Sequence, residues 1–312
     1  MADISKLLEK YRKIKPDTFY RFDEITSQYG EYAKFINKNK IYFGFETLDE
    51  MLKGIRQGEV CYIIASTNLG KSQLAFHIID NNKNKDICIP FFSLENNKFQ
   101  VFERIIQVRT GCTTFEIENN YANDDKEFIQ KCERITSEYK NIMNIIDRIS
   151  LDNLIPYIKA SEEISQKKAG VVIIDYAQLI KNVKSNEYER LSEISQVIKS
   201  EVALKLNLPV ICLSQVSRGE SRSKEGLNIH SAKGSGEIEN SAQILLSIEK
   251  LKSLETSFDA DVEEKFIEKK IDILKLKILK KKRGSFGEIY LISDRESLRL
   301  TEYHKRPEIK TI

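Results

Sequence analysis

The chain has almost no net charge: 50 Lys and Arg against 47 Asp and Glu in 312 residues leave +3. So balanced a surface sets up no global field to hold nucleic acid, and such binding has to come from charges gathered locally, as in a channel. Long apolar runs are also missing. None approaches the ~18 residues that a membrane span requires, and Asp3, Lys6, Glu9 and Lys10 stand where a signal peptide would be apolar. The expectation is a cytoplasmic protein with no membrane contact. Histidine is scarce, with only His77, His230 and His304, and Cys61, Cys88, Cys112, Cys132 and Cys212 include no C-x-x-C pair. That scatter argues against zinc and disulfides and fits buried, reduced thiols. Internal repeats and low-complexity tracts are absent too.

What is present is 41% hydrophobic and 31% charged residues, the composition of a soluble globular protein with a full core. At ~150 residues per domain, one large or two ordinary domains are expected. Ile4, Leu7, Leu8, Tyr11 and Ile14 recur at helical spacing until Pro16, which reads as a short amphipathic arm. A second helical pattern runs from Phe19 to Ile36, and Asn37 to Lys40 reads as a linker. The division expected is a helical arm and linker over 1–40 and a main domain over 41–312.

From residue 41 on, apolar runs of strand length alternate with helical segments, the pattern of an α/β fold whose mostly parallel sheet is covered on both faces. The expected strands are Val60–Ala65, Ile87–Leu94, Asn144–Ile149, Val171–Asp175, Val210–Ser214 and Ile244–Glu249. Leu191, Ile194, Ile198, Val202 and Leu206 mark one face of a long helix. The charged stretch from Leu251 to Lys270 reads as an exposed excursion. Beyond it, the alternation of Leu274 to Ile278 predicts a half-exposed strand, then a turn and a returning strand Glu288–Ser293.

The first strand runs into Ala65-Ser66-Thr67-Asn68-Leu69-Gly70-Lys71-Ser72, and Leu74, Ala75, Ile78 and Ile79 continue as a helix. This is a phosphate-binding loop in its required context: amides at the helix start surround phosphates, Lys71 reaches the β/γ oxygens and the Ser72 hydroxyl ligates Mg2+. Ala65 stands where the first glycine is usual. The run Val171-Val172-Ile173-Ile174 ends in Asp175, at the carboxyl edge of a buried strand, where such sheets bind ligands. Asp175 is the second metal residue on this reading; a plain turn or cap residue is the alternative. Glu95, closing the next strand, is the candidate base for the attacking water, or else a carboxylate at a helix start. Gln215 ends the strand Val210–Ser214 and is placed to touch the γ-phosphate, or else serves a turn.

Together these pieces resemble the RecA-like motor domain of the DnaB family of replicative hexameric helicases. The resemblance rests on Gly44-Phe45 with Leu48-Asp49 and Gly54, the phosphate loop, Phe92-Ser93-Leu94-Glu95, Ile174-Asp175-Tyr176-Ala177-Gln178-Leu179 and Glu193-Ile194-Ser195. It continues through Leu213-Ser214-Gln215 with Arg218, Ser235-Gly236 with Ile238-Glu239, and Lys281-Lys282-Arg283. It implies a RecA-like P-loop NTPase fold and a homo-oligomer, a ring of six with ATP between neighbours. It further implies 5′-to-3′ translocation on single-stranded DNA and duplex unwinding during replication. It places a trans-acting basic pair on Lys281 and Arg283, which otherwise read as a solvated basic turn. It places DNA-backbone contacts on Lys233, Gly234 and Gly236, in a run that lacks the family's carboxylate. A helicase loader is an implied partner. Primase coupling is not carried over, since about forty leading residues cannot contain the family's helical collar, and the length is like that of minimal phage or plasmid helicases. The competing expectations are an ATP-switched DNA-binding loader or recombinase-like protein that does not unwind, and a degenerate structural ATPase. Retention of Lys71, Ser72, Glu95 and Asp175 argues against the last.

Overall fold

A computed structural model of the chain describes residues 20–66, 69–182, 186–216, 227–231, 235–254 and 258–304. The arm expected over residues 1–15 lies outside them, as do Thr67, Asn68, Arg218, Lys233 and Gly234. The chain forms two compact units, 1–40 and 41–312. In the first, helix α1 spans Phe22–Asn39, opening on Asp23 and Glu24 and carrying Lys38 in its last turn, charges that suit the helix dipole.

The second unit opens with helix α2 (Glu46–Leu52), strand β1 (Val60–Ala65) and helix α3 (Lys71–Asn82). It continues through β2 (Ile89–Ser93), α4 (Lys98–Thr110), α5 (Thr114–Ala122), α6 (Lys126–Ser137) and β3 (Met143–Ile146). Helix α7 (Leu154–Ser165), β4 (Val172–Asp175) and α8 (Glu187–Val197) follow, the last continuing as a π-helical stretch over Ile198–Lys205. Then come β5 (Val210–Gln215), α9 (Ser235–Ser241), β6 (Ile244–Lys250), α10 (Ala260–Ile267), β7 (Ile271–Lys281), β8 (Glu288–Asp294) and β9 (Leu300–Glu302).

One sheet of nine strands joins them in the order β3-β2-β4-β5-β1-β6-β7-β8-β9. The pairs from β3 to β6 are parallel, and β7, β8 and β9 extend the sheet antiparallel. Because β1 is central, its side chains serve two cores: Cys61, Ile63 and Ala65 pack with Leu74, Ile78 and Ile106, while Val60, Tyr62 and Ile64 pack with Ile158, Ile194 and Val202. A large apolar side chain contributes roughly 1.5–3 kcal/mol on burial, so the strand that delivers the loop is also among the most firmly held. In β7, Leu274, Leu276 and Ile278 are buried and Lys275 and Lys277 are not, which is the expected half-exposed alternation. The charged excursion holds helix α10, none of whose residues is buried. Cys61, Cys88, Cys132 and Cys212 are buried free thiols. No helix among the described residues is long and apolar enough to cross a membrane.

Two contacts fix the elements around β1. The Asp49 carboxylate accepts the Phe43 and Gly44 amides at 2.7 and 2.8 Å, and Gly44, at φ 89°, leaves no room for a Cβ beside Asn81 and His77. That explains the Gly44 and Asp49 pair in the sequence. At the β7–β8 turn, Ser285 N donates to Met51 O at 2.9 Å and Gly284, at φ 85°, lies so close that a Cβ would fall 2.0 Å from Met51 O. Gly284→Ala is therefore expected to lower the melting temperature, at a cost on the order of 2 kcal/mol or more, in a thermal melt. Gly30→Ala, in mid-α1 with nothing within 4 Å of the added carbon, should leave it unchanged or raise it.

Candidate active site

Parallel register brings four strand ends to one edge. Ala65 of β1 lies opposite Gln215 of β5, and Ser93 of β2 lies opposite Asp175 of β4. Ala65 is the last residue of β1, fully buried and in regular strand pairing, so no glycine is needed at that point. The turn to α3 is made at Gly70 instead, with φ 78°.

Lys71 opens α3 and its side chain is buried: Nζ donates to Ser66 O at 2.8 Å and Ala65 O at 3.2 Å. Burial pushes its pKa down, against the pull of Glu95 and Asp175, which favour the charged form. Ser72 Oγ donates to Asp175 Oδ2 at 2.5 Å. Asp175 is wholly buried, and Oδ1 has no hydrogen-bond partner. Burial raises its pKa to about 6, with Glu95 adding to the rise and Ser72 and Lys71 opposing it. A buried, unpartnered carboxylate oxygen beside a hydroxyl is a pair of hard oxygen donors that fits Mg2+. No three His, Cys, Asp or Glu side chains converge as a metal cluster among the described residues, so such an ion would take its remaining ligands from phosphate and water.

Glu95 is held next to this pair through the backbone, since Asp175 O accepts the Leu94 amide at 2.7 Å and the Glu95 amide at 3.3 Å. Its side chain is exposed to the cavity. Asn97 caps α4, accepting the Phe99 and Gln100 amides in a full capping box, and Glu95 stands two residues before that cap, at the helix start. Gln215 ends β5, near enough to Tyr176, the residue after Asp175, to oppose the rise that burial, Glu95 and Asp175 impose on the Tyr176 pKa. A cavity of about 310 Å3 is lined by Gly70, Lys71, Ser72, Glu95, Arg104 and Leu298, among others. A second, of about 390 Å3, shares Leu69, Gly70, Gln73 and Leu298 with it and adds Lys250, Asp272 and Arg295.

Lys281 and Arg283 are not part of this cluster. Lys281 pairs with Ile244, at the other end of β6 from the residue facing Ala65. Its Nζ donates to Gly284 O and lies 4.6 Å from the Phe286 ring centroid. Arg283 corrects the solvated-turn alternative: it forms a 2.7 Å ion pair with Glu59 and is only 21% exposed. Gly236 lies in α9, exposed, with nothing within 4 Å of where a Cβ would be.

Sequence reasoning misses Arg104, Leu298 and Gln73. Arg104 and Val108 face the cavity from α4, four residues apart on one helix face, yet an isolated Arg in a helix carries no signal of its own. Gln73 donates to Leu298 O at 2.6 Å and Ser293 Oγ at 3.2 Å, tying the phosphate-loop helix to β8 and the turn beyond it across 225 residues of sequence, a link that no local pattern reveals.

Among known proteins, the chain is 27% identical over 267 residues to a probable replicative DNA helicase of Trieres chinensis, covering 83% of this chain and 56% of that protein. It is 28% identical over 275 residues to the replicative DNA helicase DnaC of Bacillus subtilis, covering 84% and 56%. It is also 28% identical to a probable plasmid replicative DNA helicase of Chlamydia muridarum, covering 66% and 46%. The chain thus spans about half the length of the curated relatives it matches. A solved ATPase domain superposes with a TM-score of 0.76 at 22% identity, covering 92% of this chain and all of that one. A DnaB-like replicative helicase superposes at 0.71 and 24%, covering 96% and 71%. These two establish the RecA-like fold. The family model of the DnaB-like helicase C-terminal domain matches residues 41–302, and the chain belongs to that family.

Proposed function

We propose that the chain is the motor of an ATP-dependent DNA helicase that encircles single-stranded DNA as a homo-hexamer and unwinds duplex during replication in the cytoplasm. The observation that carries this is the convergence of Lys71, Ser72, Glu95 and Asp175 at one sheet edge in a chain of the DnaB-like family.

In this reading the two adjoining cavities take ATP, the phosphates at the loop from Ala65 to Ser72 and the nucleoside beyond Leu298. Lys71 neutralises the phosphate oxygens. Mg2+, held by Ser72 and Asp175, supplies charge neutralisation to the phosphates when bound. Glu95 orients the attacking water and takes its proton. Gln215, at the end of β5, contacts the γ-phosphate and passes its loss to the segment that follows β5. Lys281 and Arg283 act on the neighbour's nucleotide. Lys233 and the amides of Gly234 and Gly236 hold the DNA backbone, and the open space around Gly236 suits close approach of a phosphate. Translocation runs 5′ to 3′, and the arm over residues 1–15 packs on the next subunit. A loader places the ring on DNA.

A forked-duplex unwinding assay with ATP, alongside electron microscopy for rings, tests the proposal. Nucleotide-dependent DNA binding without strand separation would support the switch or loader reading instead. Lys71→Ala and Glu95→Ala are both expected to abolish turnover, but Glu95→Ala should retain ATP in equilibrium binding and Lys71→Ala should not. The trans role is read from mixtures: Arg283→Ala and Lys71→Ala subunits, each inactive alone, should regain ATPase when exchanged into common rings. No recovery despite proven exchange would remove Arg283 from the neighbour's site.

Asp175 gives a prediction about stability. Its pKa is higher folded than unfolded, so the folded chain binds its proton more tightly, and stability falls as pH rises from the unfolded value near 4 to the folded value of about 6. Above that range the buried charge costs on the order of 3 kcal/mol. Asp175→Asn should therefore melt higher than wild type at pH 8 without Mg2+, match it more closely at pH 4, and lose ATP turnover.

A further inference from the structure

The β7–β8 turn holds its arginine with four hydrogen bonds inside one subunit. Arg283 Nε donates to Glu59 Oε1 at 2.9 Å and Nη2 to Glu59 Oε2 at 2.7 Å. Nη1 donates to Leu52 O at 2.8 Å, and Nη2 also donates to Gly54 O at 2.7 Å. Four of the five guanidinium N–H groups are thus committed. Glu59 is itself held, because its Oε2 accepts the Arg56 amide at 2.8 Å.

This seat is far from the subunit's own phosphate loop. Glu59 immediately precedes β1 and the loop begins at its last residue, so the six residues of the strand separate them by roughly 20 Å. Arg283 therefore serves no phosphate in its own subunit. Nor does the turn need Arg283 to stay in place, since the Ser285–Met51 hydrogen bond and the close packing of Gly284 and Gly287 on Met51 dock it independently. Four bonds on a side chain whose turn is already docked hold the charge more than the fold.

We propose that Glu59 is a positioning residue that keeps Arg283 in reserve, so that the γ-phosphate of a neighbouring subunit has to displace a carboxylate before Arg283 can stimulate hydrolysis. The inference rests on the trans reading of Arg283. Both anions accept the guanidinium in the same bidentate manner, so the exchange trades like for like. Glu59 is not abandoned when Arg283 leaves. Lys199 is near enough to feel its charge: burial, then Lys282, lowers the Lys199 pKa and Glu59 raises it. A second cation within electrostatic range favours the Glu59 charge when Arg283 leaves.

The test is Glu59→Gln in the full chain, which keeps the side chain's shape and one acceptor but removes its charge. With saturating ATP and single-stranded DNA, turnover in assembled protein should rise about fivefold, the factor expected when a charge-assisted hydrogen bond becomes a neutral one. KM for ATP should not change, and Glu59→Gln/Arg283→Ala should fall to the Arg283→Ala level. Glu59→Asp, which keeps the charge but shortens the reach, gives the same direction should the glutamine variant not assemble. A structural seat predicts the opposite, with turnover unchanged or lower in both variants, and that result overturns the reserve while leaving the trans reading to the recovery of ATPase in mixed Arg283→Ala and Lys71→Ala rings. Wild-type turnover in Arg283→Ala overturns both.

Discussion

A carboxylate with no exposed surface is the constraint around which the candidate site at the sheet edge is built. Asp175 ends a strand buried on both sides, and its charge is opposed by desolvation and by Glu95. Only the Ser72 hydroxyl and the Lys71 ammonium favour its ionised form. A buried acid of this kind is poorly placed for stability and well placed for a divalent cation, which returns what desolvation removed. The other parts follow from its position. Its carbonyl fixes the Leu94 and Glu95 amides, and its carboxylate takes the first hydroxyl of α3.

The sheet then separates two tasks. Parallel strands place their carboxyl ends together, so Lys71, Ser72, Glu95 and Asp175 converge from distant stretches of sequence. The antiparallel β7 runs back beside β6, carrying Lys281 to the opposite end of the sheet. A basic turn there is a strand length from its own phosphates. In the proposed ring, this geometry makes a turn that is useless in cis available in trans, and it makes full hydrolysis depend on how neighbours are set.

Legibility in the sequence follows the range of the interactions. The phosphate loop, β1, β4 and β5 are readable because strand periodicity and the Gly70-Lys71-Ser72 triplet are local. The alternation of Leu274 to Ile278 is readable for the same reason. Glu95 stands open between base and helix carboxylate in the sequence, and its place two residues before the Asn97 cap of α4 suits both. Strand ends differ by up to three residues, as with Asn144–Ile149 against β3 at Met143–Ile146, because pairing with β2 and not hydropathy decides where that strand stops. Arg104 and Gln73 give no local sign. Neither do the partners of Arg283, which lie 224 to 231 residues away.

The sequence Lys281-Lys282-Arg283 suggests three equivalent cations on a solvated turn, but they differ once folded. Lys281 rests on Phe286 and the Gly284 carbonyl, Lys282 is exposed, and Arg283 is bound by Glu59 and two carbonyls. Lysine can change partners at little cost because its ammonium is a point charge, whereas arginine gives up a planar, two-pronged fit when it leaves. Of the three, Arg283 alone has both a strong hold to lose and a geometry that phosphate can match. In the proposed ring, its partner choice is therefore the step at which the state of a neighbour's nucleotide is able to alter this subunit.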